Sequence, residues 1–169
     1  MTQLTLKKRF IMSFFIAMIC NAVQAETLID LESFKIEPET NIELTSQSMT
    51  FDAQSRKAHF INSVIVTYGQ LRLTAHELTF AQSKNDGETY QLTFSALGPI
   101  IISNEDINIY GDKATFIEEK QELSIKGNVS LNQNFNTIMG DKLVLDLKNG
   151  IANISGSVKT IINTTRKAK

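Results

Sequence analysis

Apolar and polar residues alternate with a period of two along most of this chain. The pattern picks out Ile42/Leu44, Met49/Phe51, Val64/Val66, Leu71/Leu73, Leu78/Phe80 and Leu92/Phe94. It continues through Ile100/Ile102, Ile107/Ile109, Ala114/Phe116, Leu123/Ile125, Val129/Leu131 and Leu143/Leu145/Leu147. Successive side chains of a strand point to opposite faces, so each set predicts a short half-buried strand with one apolar side. After residue 25 no stretch of comparable length carries a helical period, although Asp30–Ile36 fits a brief turn of helix. Asn62-Ser63, Gly127-Asn128 and Gly156-Ser157 tolerate positive φ and are expected to be turns, and Asn149-Gly150 is a strong hairpin dipeptide. Proline occurs only at Pro38 and Pro99, so little interrupts backbone pairing.

A short module recurs within this pattern. Ser46-Gln47-Ser48-Met49-Thr50-Phe51 is followed by Ala75-His76-Glu77-Leu78-Thr79-Phe80, by Gly111-Asp112-Lys113-Ala114-Thr115-Phe116 and by Gly140-Asp141-Lys142-Leu143-Val144-Leu145. The starts are 29, 36 and 29 residues apart. The longer interval holds the polar stretch Ser83–Glu88, which reads as a loop insertion of about seven residues. A second landmark keeps the same phase, since Asn62, Gly127 and Gly156 each lie 16 residues after a module start. An internal repeat of strands predicts an all-β fold of similar units around a shared interior, as a sandwich, jelly roll or solenoid, and the repeat favours a progressive stack. Unlike a closed barrel, such a stack leaves its first and last strands without partners, which makes edge-to-edge pairing between chains possible.

The ends change the picture at residue 25. Lys7-Lys8-Arg9, the apolar run Phe10–Cys20 and the small-residue site Val23-Gln24-Ala25 form a cleavable export signal. The run Phe10–Val23 falls short of the ~20 residues that a spanning helix needs. Cys20 follows Ile19, where a lipid-modification site wants a small residue, so it is read as part of the apolar run. Residues 26–165 then form one β domain, with a short basic tail at 166–169. That remainder contains no cysteine and no disulfide. The whole chain has a formal charge of −1 and the signal holds three positive and no negative charges, leaving −4 on the domain. Mild acidity argues against a nucleic-acid partner, whose phosphates need neutralising.

The inventory for catalysis is poor. His59 and His76 stand alone in strand-like sequence, without companions at metal-ligand spacing. No phosphate-cradling glycine loop, nucleophile elbow or zinc-helix motif occurs. Glu105-Asp106 and Glu118-Glu119 read as solvated charge rather than as an acid–base pair. No catalytic residue, metal or cofactor is therefore expected. For the apolar interior two readings stay open at this point: plain core packing, or a trough accessible from the ends of the stack that suits acyl chains.

The repeated words carry a family resemblance. Val64–Leu78, Gly111–Phe116, Lys126-Gly127-Asn128-Val129 and Met139-Gly140-Asp141-Lys142-Leu143, in this order and with an export signal, resemble the LptA/OstA-like family of periplasmic lipopolysaccharide transport proteins. The match runs from about Ile42 to Val158. Two positions depart from the family pattern: Asn62-Ser63 stands for a Gly-Asn turn, and His76 for an Asp.

The resemblance implies an open β-jellyroll, V-shaped in section, whose interior holds the lipid A acyl chains of lipopolysaccharide in the periplasm. It also implies head-to-tail self-association, and contact with jellyroll domains of an inner-membrane complex and of the outer-membrane translocon. An anchored partner of the same fold would instead retain Phe10–Val23 as a membrane helix. By resemblance Ile42 and Leu44 sit at the groove mouth, Ile102 follows the Gly98-Pro99 bend, and Phe116 is the aromatic of the third module. Alternation alone adds Val66, Leu73, Phe80, Phe94, Ile125 and Leu145 as lipid-facing positions. Glu118 would be costly in such a lining if its carboxylate pointed inward.

Overall fold

The computed structural model describes residues 41–84 and 90–163. The export signal, the helical turn at Asp30–Ile36, most of the loop insertion and the basic tail lie outside the described residues. Among these residues ten strands follow one another: β1 (Ile42–Thr45), β2 (Ser48–Asp52), β3 (Lys57–Tyr68), β4 (Leu71–Lys84), β5 (Tyr90–Ser103), β6 (Ile107–Ile117), β7 (Glu122–Gln133), β8 (Asn136–Asp146), β9 (Ile151–Ser155) and β10 (Lys159–Ile161). All pair antiparallel in one sheet ordered β1-β3-β4-β5-β6-β7-β8-β10, with β2 beside β1 on β3 and β9 beside β10 on β8. A single 3-10 turn, Glu118–Lys120, joins β6 to β7.

The apolar sets read from the sequence merge into fewer, longer strands. Leu71/Leu73 and Leu78/Phe80 both belong to β4, and β5, β6 and β7 each absorb two sets in the same way. What separates the halves is a bulge. The pairing register shifts between Ile61 and Val64, Thr74 and Glu77, Leu97 and Ile100, Tyr110 and Lys113, and Lys126 and Val129. These shifts line up across the sheet and bend every long strand at one level, dividing the sheet into two arms. The expected turns at Asn62-Ser63 and Gly127-Asn128 are thus corrected: both lie inside strands, with φ of 64°, 51°, 79° and 46°. The same left-handed backbone that closes a hairpin also makes a bulge, and local sequence does not distinguish the two. Gly156-Ser157 bends the chain between β9 and β10, and Asn149-Gly150 sits in the β8–β9 hairpin as expected.

The module is the other half of this corner. At Gly111 a Cβ would collide with Ile125 Cγ2, and at Gly140 it would come within 2.6 Å of Ile154 Cγ2. Only a bare backbone lets β6 and β8 lie so close to the neighbouring isoleucine. The aspartate that follows Gly111 secures the facing bulge: Asn128 Nδ2 donates to Asp112 Oδ2 at 2.8 Å. At the next corner the Asp141 N–H donates to the Gly156 carbonyl, and at the first the Gln47 N–H donates to the Asn62 carbonyl.

The apolar faces of both arms share one interior. Next to the bend it is packed throughout, with Val64, Leu78, Ile100, Val129 and Leu143 essentially removed from solvent. Away from the bend it is filled only in β6–β8, where Ile107, Ile109, Leu131 and Leu145 are buried. No pairing joins the β1/β2 edge to the β9/β10 edge among the described residues, so the sheet is open.

Candidate functional site

Strand register aligns the inward residues into rows that run across the sheet. On one arm Phe51, Ala58, Phe80, Phe94, Phe116, Leu123, Leu145 and Ala152 pair in sequence from β2 to β9. On the other arm Leu44, Val66, Leu73, Ile102, Ile109, Leu131 and Ile138 form the corresponding row from β1 to β8. Between the two rows, on the N-terminal side of the stack, lies an apolar cavity of about 640 Å³. One wall is largely aromatic, with the rings of Phe94 and Phe116 stacked at 4.9 Å, and the other is aliphatic.

Eight of the ten residues expected to face lipid line this cavity: Ile42, Leu44, Val66, Leu73, Phe80, Phe94, Ile102 and Phe116. Ile125 and Leu145 do not. They are 0% and 1% exposed in the packed interior of β7 and β8, where the facing row leaves no space beside them. The lining also includes Phe51, Leu71, Leu78, Leu92 and Leu147, which alternation places on apolar faces without marking them as lipid-facing, and Phe60, which it does not pick out. Phe51 had a signal, since it holds the same module position as Phe80 and Phe116. Ala58 and Phe60 alternate in β3, but a small residue beside a histidine masked the pattern.

Polar groups reach the cavity at Tyr68, Glu118 and Gln121. The Glu118 carboxylate is exposed at the rim, where its Oε2 accepts from the Leu92 N–H at 3.2 Å. Burial therefore does not penalise it. Gln121, at φ 49°, folds back so that both its N–H and its side-chain amide donate to the Glu118 carbonyl.

Among the described residues two carboxylates are held below their ordinary pKa, and both belong to turns. Asp52 accepts from the Ser55 hydroxyl, then from the Ser55 and Gln54 N–H groups, and Asp146 from the Asn149 side-chain amide and N–H. Neither lines the cavity. His59 Nε2 lies 3.6 Å from Glu77 Oε2, half-exposed and in strand register with Thr50 and Thr79 rather than with the lining row. No group of three His, Cys, Asp or Glu able to hold a metal occurs among the described residues. Nor is any helix there long and apolar enough to cross a membrane.

Comparison with known proteins agrees with this geometry. Residues 43–151 match the family model described as LptA/(LptD N-terminal domain) LPS transport protein. The fold is similar to the crystal structure of LptH, the LptA-homologous periplasmic component of the lipopolysaccharide transport device of Pseudomonas aeruginosa. That likeness has a TM-score of 0.64 at 22% identity and covers 74% of this chain and 96% of the other. A search of curated protein sequences finds no match. The open sheet with its two arms is thus a jellyroll of the LptA type.

Proposed function

This chain belongs to the LptA/(LptD N-terminal domain) family of LPS transport proteins, which are not enzymes, and from that premise we propose that it is a periplasmic carrier of lipopolysaccharide. The first 25 residues direct its export. The cavity between the arms takes the acyl chains and leaves the saccharide in water. The observation that carries this reading is the 640 Å³ cavity walled by phenylalanine, leucine, isoleucine and valine. Ligand sites typically occupy about 300–1,000 Å³. At ~0.8 kcal/mol per methylene, an acyl chain of about 14 carbons costs on the order of 10 kcal/mol to expose, and an apolar wall removes much of that cost.

The open edges suit a bridge. The outer edges of β1/β2 and β9/β10, at opposite ends of the sheet, have no strand partner among the described residues, with Ile42, Met49 and Phe51 exposed at one end and Ile151, Val158 and Ile161 at the other. Different edges pair heterologously, so copies join head to tail, and jellyroll domains of an inner-membrane complex and of an outer-membrane translocon take the terminal edges. Energy for directional movement comes from such a partner.

Calorimetry with intact lipopolysaccharide, its lipid A moiety and a deacylated form tests the reading. Binding should follow the acyl chains, show a negative heat-capacity change and return the ligand chemically unchanged. Equal affinity for the deacylated form would contradict it.

A further inference from the structure

The cavity has a definite end. On the aliphatic arm its lining stops at Ile102 in β5, and the next residue of that row, Ile109 in β6, is fully buried. On the aromatic arm Phe116 in β6, whose ring stacks on Phe94, is 8% exposed, and past it the apolar lining consists of its row neighbour Leu123 in β7 and of Leu147 near the arm tip. Beyond Phe116 and Leu123 the interior is filled by Ile125, Leu131 and Leu145. From Phe51 in β2 to Phe116 in β6 there are four inter-strand steps, a run of roughly 19 Å at about 4.8 Å per step. One way past remains, along the arm tip by Leu123 and Leu147, and it passes the Glu118 carboxylate and the Gln121 amide. Methylenes entering that passage would strip water from a charge.

We infer that Phe116, braced by Phe94, is the end wall that sets the length of alkyl chain the cavity accepts, and that Glu118 closes the one apolar detour around it. The inference rests on the reading of the cavity as an acyl site. Phe116 is a specificity-determining residue because it fixes where the chain ends, whereas Phe80, midway along the same row, contributes contact to every chain that enters.

The test uses alkyl maltosides of increasing chain length, below their micellar concentrations, with the full exported protein. Affinity should rise about fourfold per added methylene and then level off once the chain tip meets Phe116. In Phe116→Ala the levelling should move to longer chains, each methylene beyond the original limit again adding about fourfold. Glu118→Leu alters an exposed position and should move the limit in the same direction, which keeps the test decisive if Phe116→Ala fails to fold. Phe80→Ala should weaken all chain lengths alike and leave the limit where it was. An unmoved limit in a folded Phe116→Ala or in Glu118→Leu, with binding retained, overturns the end-wall assignment. Absence of binding at every length in the unaltered protein overturns the acyl-cavity reading instead.

Discussion

The N-terminal part of the sheet, β1–β5, and the C-terminal part, β6–β9, are built from the same words and fill their interiors differently. Phe51, Phe80, Phe116 and Leu145 hold one module position. Phe51 is 62% exposed, Phe80 half-buried, Phe116 8% and Leu145 1% exposed. A module determines which face a residue takes, because the bulge and the period of two fix it. Whether that face is covered depends on the row opposite and on the neighbours along the stack. In β6–β8 Ile109, Leu131 and Leu145 share one buried core and close the interior behind Leu123, the last residue of its row to line the cavity. In β1–β5 the rows stand apart, and at β1/β2 no further strand among the described residues covers them. One half supplies stability and the other supplies space.

If that division is right, equivalent truncations should have opposite consequences. Leu145→Ala should cost about 2–5 kcal/mol in chemical denaturation, since it leaves a hole in a packed interior. Phe51→Ala should change stability by less than about 0.5 kcal/mol while weakening ligand binding, because its ring covers cavity rather than core. Equal costs at the two positions would erase the distinction.

A glycine in each corner of the closed half grades its tightness. Gly111→Ala drives a methyl into Ile125, which is fully buried and has nowhere to go, and should cost about 1–3 kcal/mol. Gly140→Ala meets the half-buried Ile154, which can yield, and the Ser155 carbonyl oxygen at 3.0 Å, which cannot, and should cost a comparable amount in the same thermal melts. Charge sharpens the contrast at the boundary. Phe116→Asp places a carboxylate against the cavity's end, whereas Lys113→Asp alters a solvated position on the same strand. Lipopolysaccharide binding should fall in the first and persist in the second, with circular dichroism confirming that both remain folded.

The smallest effect belongs to the turns, which treat the two halves alike. Asp52 in the β2–β3 turn and Asp146 in the β8–β9 turn both have depressed pKa values from hydrogen bonds to their ionised form. Each contributes stability that is present above the unfolded carboxylate pKa and is lost as pH falls through the lower folded value. Protection of the Gln54, Ser55 and Asn149 amides, taken relative to the intrinsic exchange rate at each pH, should therefore fall on acidification below about pH 4. Asp52→Asn should flatten the profile for the first turn only, and Asp146→Asn for the second.

Much of the fold was legible in the sequence, and the limits were physical. Alternation located the inward faces of β4 to β7 and, of the eight cavity residues named from the sequence, Val66, Leu73, Phe80 and Phe94, because a side chain's face is a local property; the family resemblance supplied Ile42, Leu44, Ile102 and Phe116. The bulges at Asn62-Ser63 and Gly127-Asn128 read as turns, since a left-handed pair specifies a bend but not whether pairing resumes beyond it. Ile125 and Leu145 looked equivalent to Phe80 because alternation is blind to the facing row. The second half of β3 was recognised and the first, with Ala58, His59 and Phe60, was not, although Ala58 completes the row between Phe51 and Phe80.

The account stands on the claim that the open half, and not the closed half, holds the lipid. Photocrosslinking tests this most directly, with a benzophenone amino acid placed at Phe51, Phe80 or Ile102 in the open half, and at Ile154 or the exposed Phe135 in the closed half. The account predicts adducts with lipopolysaccharide at the first three positions and none at Ile154 or Phe135. Equal labelling of both sets, or labelling at Ile154 alone, would contradict it.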